Sequence, residues 1–137
     1  RSRAAATIAA AMEPFLNEHV APVPLDKAYR LLNHGPTVLV SAAHAGVRNA
    51  MAAAWSCALD FRPPKVTVVL DKATRTRELV EASGHFVLQV PTAAQAALTH
   101  RLGNRSLHDD PDKLAHAGAR RRNPARGLRN FQVRESS

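Results

Sequence analysis

The stretch Asn49–Glu78 decides the fold of this chain, and it contains three features in a fixed order. Residues 49–56, Asn-Ala-Met-Ala-Ala-Ala-Trp-Ser, are mostly small and would let a flat ligand lie against the backbone amides. The run Lys65–Leu70, Lys-Val-Thr-Val-Val-Leu, is rich in β-branched residues and predicts a buried strand. The turn Asp71–Glu78, Asp-Lys-Ala-Thr-Arg-Thr-Arg-Glu, then opens a helix whose N-terminus suits an anion.

These features together predict a site for a flat ring that carries a phosphate. Backbone amides for the ring and a helix N-terminus for the phosphate are what flavin mononucleotide (FMN) requires. Taken singly, each feature has a plainer interpretation. A small-residue segment is more often a packed strand, and a charge run is more often a solvated helix start. The flavin interpretation depends on all three features occurring in this order along the chain.

The composition indicates a single domain. The chain has 137 residues, 45% of them apolar and only 4% aromatic, so its core must be built from Ala, Val and Leu. Cys57 is the one cysteine, which excludes an internal disulfide and favours a reducing cytoplasm. No apolar run approaches about 18 residues, so no membrane span is expected.

The net charge of +8 raises the possibility of a nucleic-acid-binding protein. Residues 1–11 contribute +2 and residues 119–137 contribute +5, which leaves +1 for residues 12–118. The basicity therefore belongs to the ends of the chain. The Arg-rich end also lacks interleaved aromatic residues, which makes nucleic acid the weaker alternative.

Three parts are predicted along the chain. Residues 1–11 are basic, Ala-rich and free of acidic residues, and are interpreted as an N-terminal extension before Met12. Residues 12–118 form the folded domain. From Ala119 the hydrophobic period is lost, and residues 119–137 are predicted to be a disordered basic tail.

Local patterns predict the elements of the folded domain. The alanine-rich segment 49–56 has a high helix propensity, but its place between a strand and Pro63–Pro64 favours a strand antiparallel to the preceding one. Thr74 is a suitable helix N-cap, and Gly84 is suited to end that helix. The elements predicted in this way are a short helix 25–32, strands 37–44, 49–56, 65–70 and 85–90, helices 74–83 and 93–102, and a helical turn at 112–116.

The sequence indicates neither a metal site nor a catalytic triad. The seven histidines show no spacing typical of metal ligands, and no Ser-His-Asp arrangement can be argued from spacing. We therefore assign no metal ligand, general acid or general base.

The residues of six short segments, and the order of these segments along the chain, resemble the flavin reductase-like family with an FMN-binding split β-barrel, including its flavoredoxin-type members. The segments are Val23–Leu32, Gly35–Val40, Asn49–Trp55, Pro63–Pro64, Asp71–Leu79 and Gly84–Pro91. The resemblance covers residues 12–118.

The resemblance implies a mixed β fold with flanking helices, here a partial FMN-binding split β-barrel. It also implies a cytoplasmic homodimer that binds FMN and either reduces the flavin with NADH or NADPH or passes electrons to a partner. The ring of FMN would be lined by Asn49, Ala50, Met51, Ala52, Ala53, Ala54 and Trp55. Its phosphate would be met by Lys72 and Thr74, with Arg75 or Thr76.

Two departures from the family pattern bear on these expectations. Many members have a hydroxyl residue where this chain has Ala52, which removes one hydrogen bond to the flavin. Members also continue past the position of Gly118 with strands that close the barrel, whereas this chain continues with the Arg-rich tail. The pattern is that of a domain cut short at its C-terminus, and a non-catalytic remnant is the third alternative. A sheet lacking those strands would have unpaired edges and would be expected to self-associate.

Overall fold

The computed structural model describes residues 23–119 and 131–132. The predicted extension 1–11 and most of the predicted tail lie outside the described residues. The strands are β1 Val38–His44, β2 Val47–Ala53, β3 Ser56–Phe61, β4 Pro64–Val68, β5 His85–Gln89 and β6 Phe131–Gln132. The α-helices are α1 Arg75–Ser83, α2 Ala96–Gly103 and α3 Lys113–His116, and 3-10 helices cover Leu25–Leu31 and Ala93–Gln95.

The strands β1 and β2 form a hairpin, which confirms the strand prediction for the alanine-rich segment. Their antiparallel register runs from His44 opposite Val47 to Val38 opposite Ala53. The two-residue turn between them has φ values of 48° at Ala45 and 82° at Gly46, the left-handed pair that a type I′ turn needs. Pairing with β1 thus outweighs the helix propensity of the alanines.

The main sheet has the strand order β2-β1-β5-β6, and β3 and β4 form a separate two-stranded sheet. The predicted mixed β fold with flanking helices is confirmed, and over the described residues the two sheets do not close into a barrel. The strand β3 was not predicted, because Cys57–Arg62 mixes charged and apolar residues. Its residues alternate between half-buried and exposed positions, and this pattern arises from pairing with β4.

Both faces of β1 are buried, which explains its nearly continuous apolar sequence. On one face Val38 and Val40 pack with Leu32 and Ala53, under the β3–β4 hairpin. Farther along the same face Ala42 packs with residues of α1. On the other face Leu39 packs with Leu102 of α2. The hairpin β1–β2 is therefore held between α2 on one side and α1 with the second sheet on the other.

The helix α1 begins and ends where its sequence predicts. The hydroxyl of Thr74 accepts a hydrogen bond from the backbone N–H of Arg77 at 3.4 Å. Gly84 follows the helix at φ 69° and donates its N–H to the carbonyl of Val80 at 2.8 Å. Side-chain capping at one end and left-handed glycine at the other fix the position of α1 along the chain.

Replacement of Thr74 by alanine tests the cap. We expect Thr74→Ala to lower the free energy of unfolding by about 1 kcal/mol, because the N-terminal amides of α1 lose their side-chain acceptor. Thr74→Ser, which keeps the hydroxyl, should retain most of the stability in urea unfolding followed by circular dichroism. An equal loss in both variants would mean that the hydroxyl does not act as a cap.

One strand lies within the region predicted to be a disordered tail. The short β6 pairs antiparallel with β5, with His85 opposite Gln132 and Phe86 opposite Phe131. Residues 120–130 and 133–137 lie outside the described residues. In the described part of the chain, no helix has the length and hydropathy needed to cross a membrane.

Candidate functional site

The strand β2 is an edge strand of the main sheet, and its outer edge has no strand partner among the described residues. His44 and Val47 close a two-residue turn and therefore form a hydrogen-bonded pair, after which bonded and non-bonded positions alternate. By this register the N–H and C=O groups of Arg48, Ala50 and Ala52 point away from β1. The strand thus offers a row of backbone donors and acceptors to a ligand beside it.

The side chains of the predicted ring-binding segment do not share one face. Asn49, Met51 and Ala53 lie on the face toward α1 and the second sheet, because successive side chains of a strand alternate. Ala50 and Ala52 lie on the opposite face and pack toward α2. Ala54 and Trp55 follow the strand, and Trp55 is 74% exposed. If the whole segment contacts one ring, it must do so mainly through its backbone edge.

Ala52 lies close to the last residue of α2. A Cβ built on Gly103, the last residue of α2, would lie only 3.1 Å from the Cβ of Ala52. The pair allows the helix to approach the strand closely. This close approach is a structural reason for glycine at position 103.

The predicted phosphate residues occupy the turn before α1 and its first residues. The carboxylate of Asp71 accepts the N–H of Ala73 at 2.7 Å, and the hydroxyl of Thr74 donates to the carbonyl of Asp71 at 2.7 Å. Arg75 is hydrogen bonded to Glu78 within α1. Lys72 is exposed, and within residues 23–119 no hydrogen bond or ion pair involves its amine. Of the predicted residues, Lys72 is the cation most available to a ligand.

A buried hydrogen bond joins the two predicted halves of the site. The side-chain nitrogen of Asn49 donates to the hydroxyl of Thr76 at 3.0 Å, and the two residues are only 4% and 0% exposed. The carbonyl oxygen of the Asn49 side chain is buried and has no hydrogen-bond partner. An unsatisfied buried acceptor is costly, so a donor that reached this oxygen would stabilise the protein.

A surface cavity of about 620 Å³ lies at the other end of β2, against α2. The sequence did not single out its polar lining, because these residues are far apart in the chain or face outward from a helix. The lining consists of Pro36, Thr37, Ala52, Ala53, Ala54, Pro91, Thr92, Ala93, Ala96, Thr99, His100, Gly103 and Asn104.

The distance along β2 between Asn49 and Ala53 sets the minimum length of a ligand that contacts both. Asn49 and Ala53 are four residues apart, or about 13 Å along a strand. Asn49 meets α1 at one end, and Ala53 lines the cavity at the other. A molecule that contacts both ends must have the length of a nucleotide rather than of a simple anion.

The loop after α2 carries a second charged cluster that the sequence did not reveal. Asp110 accepts hydrogen bonds from His116 at 3.0 Å and from Arg105 at 3.2 Å, and the bond from His116 is the main reason that the pKa of Asp110 is lowered. Lys113 is only 2% exposed, and burial lowers the pKa of its amine, while the Asp110 carboxylate opposes that shift. Its position could not be predicted, because a lysine in a polar turn is ordinarily solvated.

Comparison with known proteins gives the class of this domain. Residues 30–128 match the flavin reductase like domain family. The chain belongs to this family.

Similar proteins include one of known sequence and several of known structure. A 91-residue segment, 65% of the chain and 48% of the relative, is 46% identical to the uncharacterized protein YddH of Escherichia coli. The crystal structure of an FMN-binding domain of a flavin reductases-like enzyme from Shewanella baltica is 61% identical. Its TM-score is 0.74, over 82% of this chain and 59% of that one.

A flavoredoxin of Desulfovibrio vulgaris is 32% identical with a TM-score of 0.56, over 61% of this chain and 46% of that one. The chain thus spans about half the length of the proteins that it resembles.

Proposed function

We propose that this protein binds FMN along the open edge of β2, with the phosphate at the N-terminus of α1. The observation that carries the proposal is the buried Asn49–Thr76 contact, which joins the edge strand to the first turn of the helix and leaves one acceptor without a donor. The similar structures described as an FMN-binding domain and as a flavoredoxin support the choice of flavin.

The residues present fit such a ligand. The backbone groups of Ala50 and Ala52 would meet the polar edge of a ring, and Asn49 would add a side-chain acceptor. Lys72 and the first amides of α1 would hold the phosphate, since helix N-terminal N–H groups and a nearby cation both favour an anion. Thr74 would act mainly through the cap that positions those amides.

We also propose that the protein is an oxidoreductase that uses NADH or NADPH, acting as a flavin reductase or passing electrons to a partner in the cytoplasm. When bound, FMN supplies the redox chemistry, and the protein supplies binding, orientation and exclusion of water. Purification followed by an absorbance spectrum and a flavin-to-protein ratio tests the binding. Oxidation of each nicotinamide, followed by absorbance with FMN present, tests the activity.

The phosphate contact is tested by a matched pair of lysine variants. We expect Lys72→Ala to weaken FMN binding at least about tenfold, because a charge-assisted contact to the phosphate is lost. Riboflavin, which lacks the phosphate, should bind equally well to the variant and the wild type. Lys27→Ala, on the exposed 3-10 helix, is the control and should change neither affinity in fluorescence titrations. A parallel loss of FMN and riboflavin would place Lys72 away from the phosphate.

We further propose a homodimer formed through the outer face of the β3–β4 hairpin. Four large apolar side chains are exposed there: Trp55 at 74%, Leu59 at 64%, Phe61 at 57% and Val69 at 54%. Several exposed large apolar side chains on one hairpin favour an interaction site, and a two-stranded sheet is only marginally stable alone. A second copy on this face would cover Trp55, which follows the proposed flavin strand directly.

The dimer is tested by placing a charge on this face. We expect the wild-type protein to scatter light as a dimer and Leu59→Glu to shift it toward the monomer, because a desolvated carboxylate opposes association. Val47→Glu introduces the same charge beside the β1–β2 turn and should leave the dimer intact. A monomeric wild type at high protein concentration would contradict the proposal.

A further inference from the structure

The carboxylate of Glu78, in the first turn of α1, contacts the side chains of both Arg75 and His108. One oxygen accepts a hydrogen bond from Arg75, and the other lies 3.4 Å from Nε2 of His108 in the loop after α2. Arg75 is one of the residues predicted to meet a phosphate. The three side chains are 35%, 42% and 46% exposed, so each can exchange its partner without unfolding of the core.

We propose that Glu78 is a built-in competitor of the anionic ligand, which holds Arg75 in the ligand-free protein, and that His108 weakens this hold. This inference rests on the proposed phosphate site at the N-terminus of α1. Glu78 thereby sets how strongly the site prefers a phosphorylated ligand over a neutral one.

The position of the site does not rest on the helix N-terminus alone. Asn49 is 4% exposed and contacts Thr76 in the first turn of α1, and its side-chain oxygen has no partner. This unpartnered buried group belongs to a side chain that contacts the first turn of α1, the turn that also carries Arg75. A ligand that donates to this oxygen would lie beside the turn of α1 that carries the Arg75–Glu78 pair.

Glu78 and a bound phosphate compete because both are anions that pair with Arg75. A carboxylate and a phosphate require the same guanidinium, so the free energy of the Arg75–Glu78 pair is subtracted from that of phosphate binding. Exposed ion pairs contribute little, which limits the effect to roughly two- to fivefold in affinity. Arg77 forms an equivalent pair with Glu81 one turn farther along α1.

His108 contacts the same carboxylate from the loop after α2. Its Nε2 lies 3.4 Å from one oxygen of Glu78, and Arg75 is bonded to the other oxygen. The contact with His108 therefore competes with Arg75 for Glu78.

The test uses Glu78→Gln with Glu81→Gln as a matched control, which removes the same charge from the next turn of α1. The probes are FMN, riboflavin and inorganic phosphate, the last followed through the NMR amide signals of Thr76 and Arg77. Glu78→Gln should tighten FMN and phosphate roughly two- to fivefold and leave riboflavin unchanged. Glu81→Gln should have no effect, and Glu78→Gln should lose its effect in an Arg75→Ala background.

The contribution of His108 is tested with His108→Gln. Loss of its contact with Glu78 should leave Arg75 more firmly held, so phosphate should bind about twofold more weakly to the variant than to the wild type. Equal phosphate affinity in the two proteins would remove His108 from the inference.

The outcomes separate this inference from the proposed function. Phosphate binding that tightens in Glu78→Gln, without binding of FMN, would overturn the flavin proposal and support the competition. FMN binding that is identical in the wild type and in Glu78→Gln would overturn the competition and support the flavin proposal. Equal tightening in Glu78→Gln and Glu81→Gln would show only a general effect of net charge and would also overturn it. If none of these proteins binds phosphate or FMN, both proposals fail.

Discussion

Leu102→Ala is expected to lower the free energy of unfolding by about 2–5 kcal/mol, the largest effect of any single change considered. Leu102 is 2% exposed and packs with Leu39 and Ala117, so its truncation leaves a cavity between α2 and the sheet. The close approach of Gly103 to Ala52 limits how far the helix can move to fill that cavity. Urea unfolding followed by circular dichroism measures the loss.

The matched control for this prediction is Leu25→Ala. Leu25 is 52% exposed on the 3-10 helix, and its truncation should change the stability by no more than about 0.5 kcal/mol. A Leu102→Ala variant as stable as Leu25→Ala would mean that α2 is not packed on the sheet as described. Since α2 forms one wall of the cavity at the end of β2, any ligand in that cavity should also bind more weakly to Leu102→Ala.

Thr76→Val is expected to affect both the stability and the proposed flavin site. The change keeps the shape of the side chain but removes the acceptor for Asn49, which leaves a buried amide group without a partner. Such a loss costs about 1–3 kcal/mol. Asn49 is then free to rotate, so we expect FMN and riboflavin to lose affinity together, unlike the phosphate-specific loss in Lys72→Ala.

Thr76→Ser provides the control, because it retains the hydroxyl and removes only a methyl group. It should keep most of the flavin affinity, and its loss of stability should be smaller than that of Thr76→Val. The measurements are urea unfolding and fluorescence titration with both flavins. Unchanged binding in Thr76→Val would separate the Asn49–Thr76 contact from the site and remove the observation on which the flavin proposal depends.

The sequence alone determined the elements whose causes are local. The N-cap at Thr74 and the glycine at position 84 bound α1 because capping and left-handed backbone depend on the nearest few residues. The family followed from the order of short segments, and its match over residues 30–128 confirms it.

Only the tertiary structure decided which of these elements meet. Asn49 and Thr76 are 27 positions apart, and nothing local to either residue shows that one satisfies the other in the core. The alternating burial of residues along β3 depends on its pairing with β4. Lys113 is likewise buried, although it lies in a polar stretch of sequence. Hydrogen bonding and burial between distant segments are set by packing, and packing is a property of the whole fold rather than of a short stretch of chain.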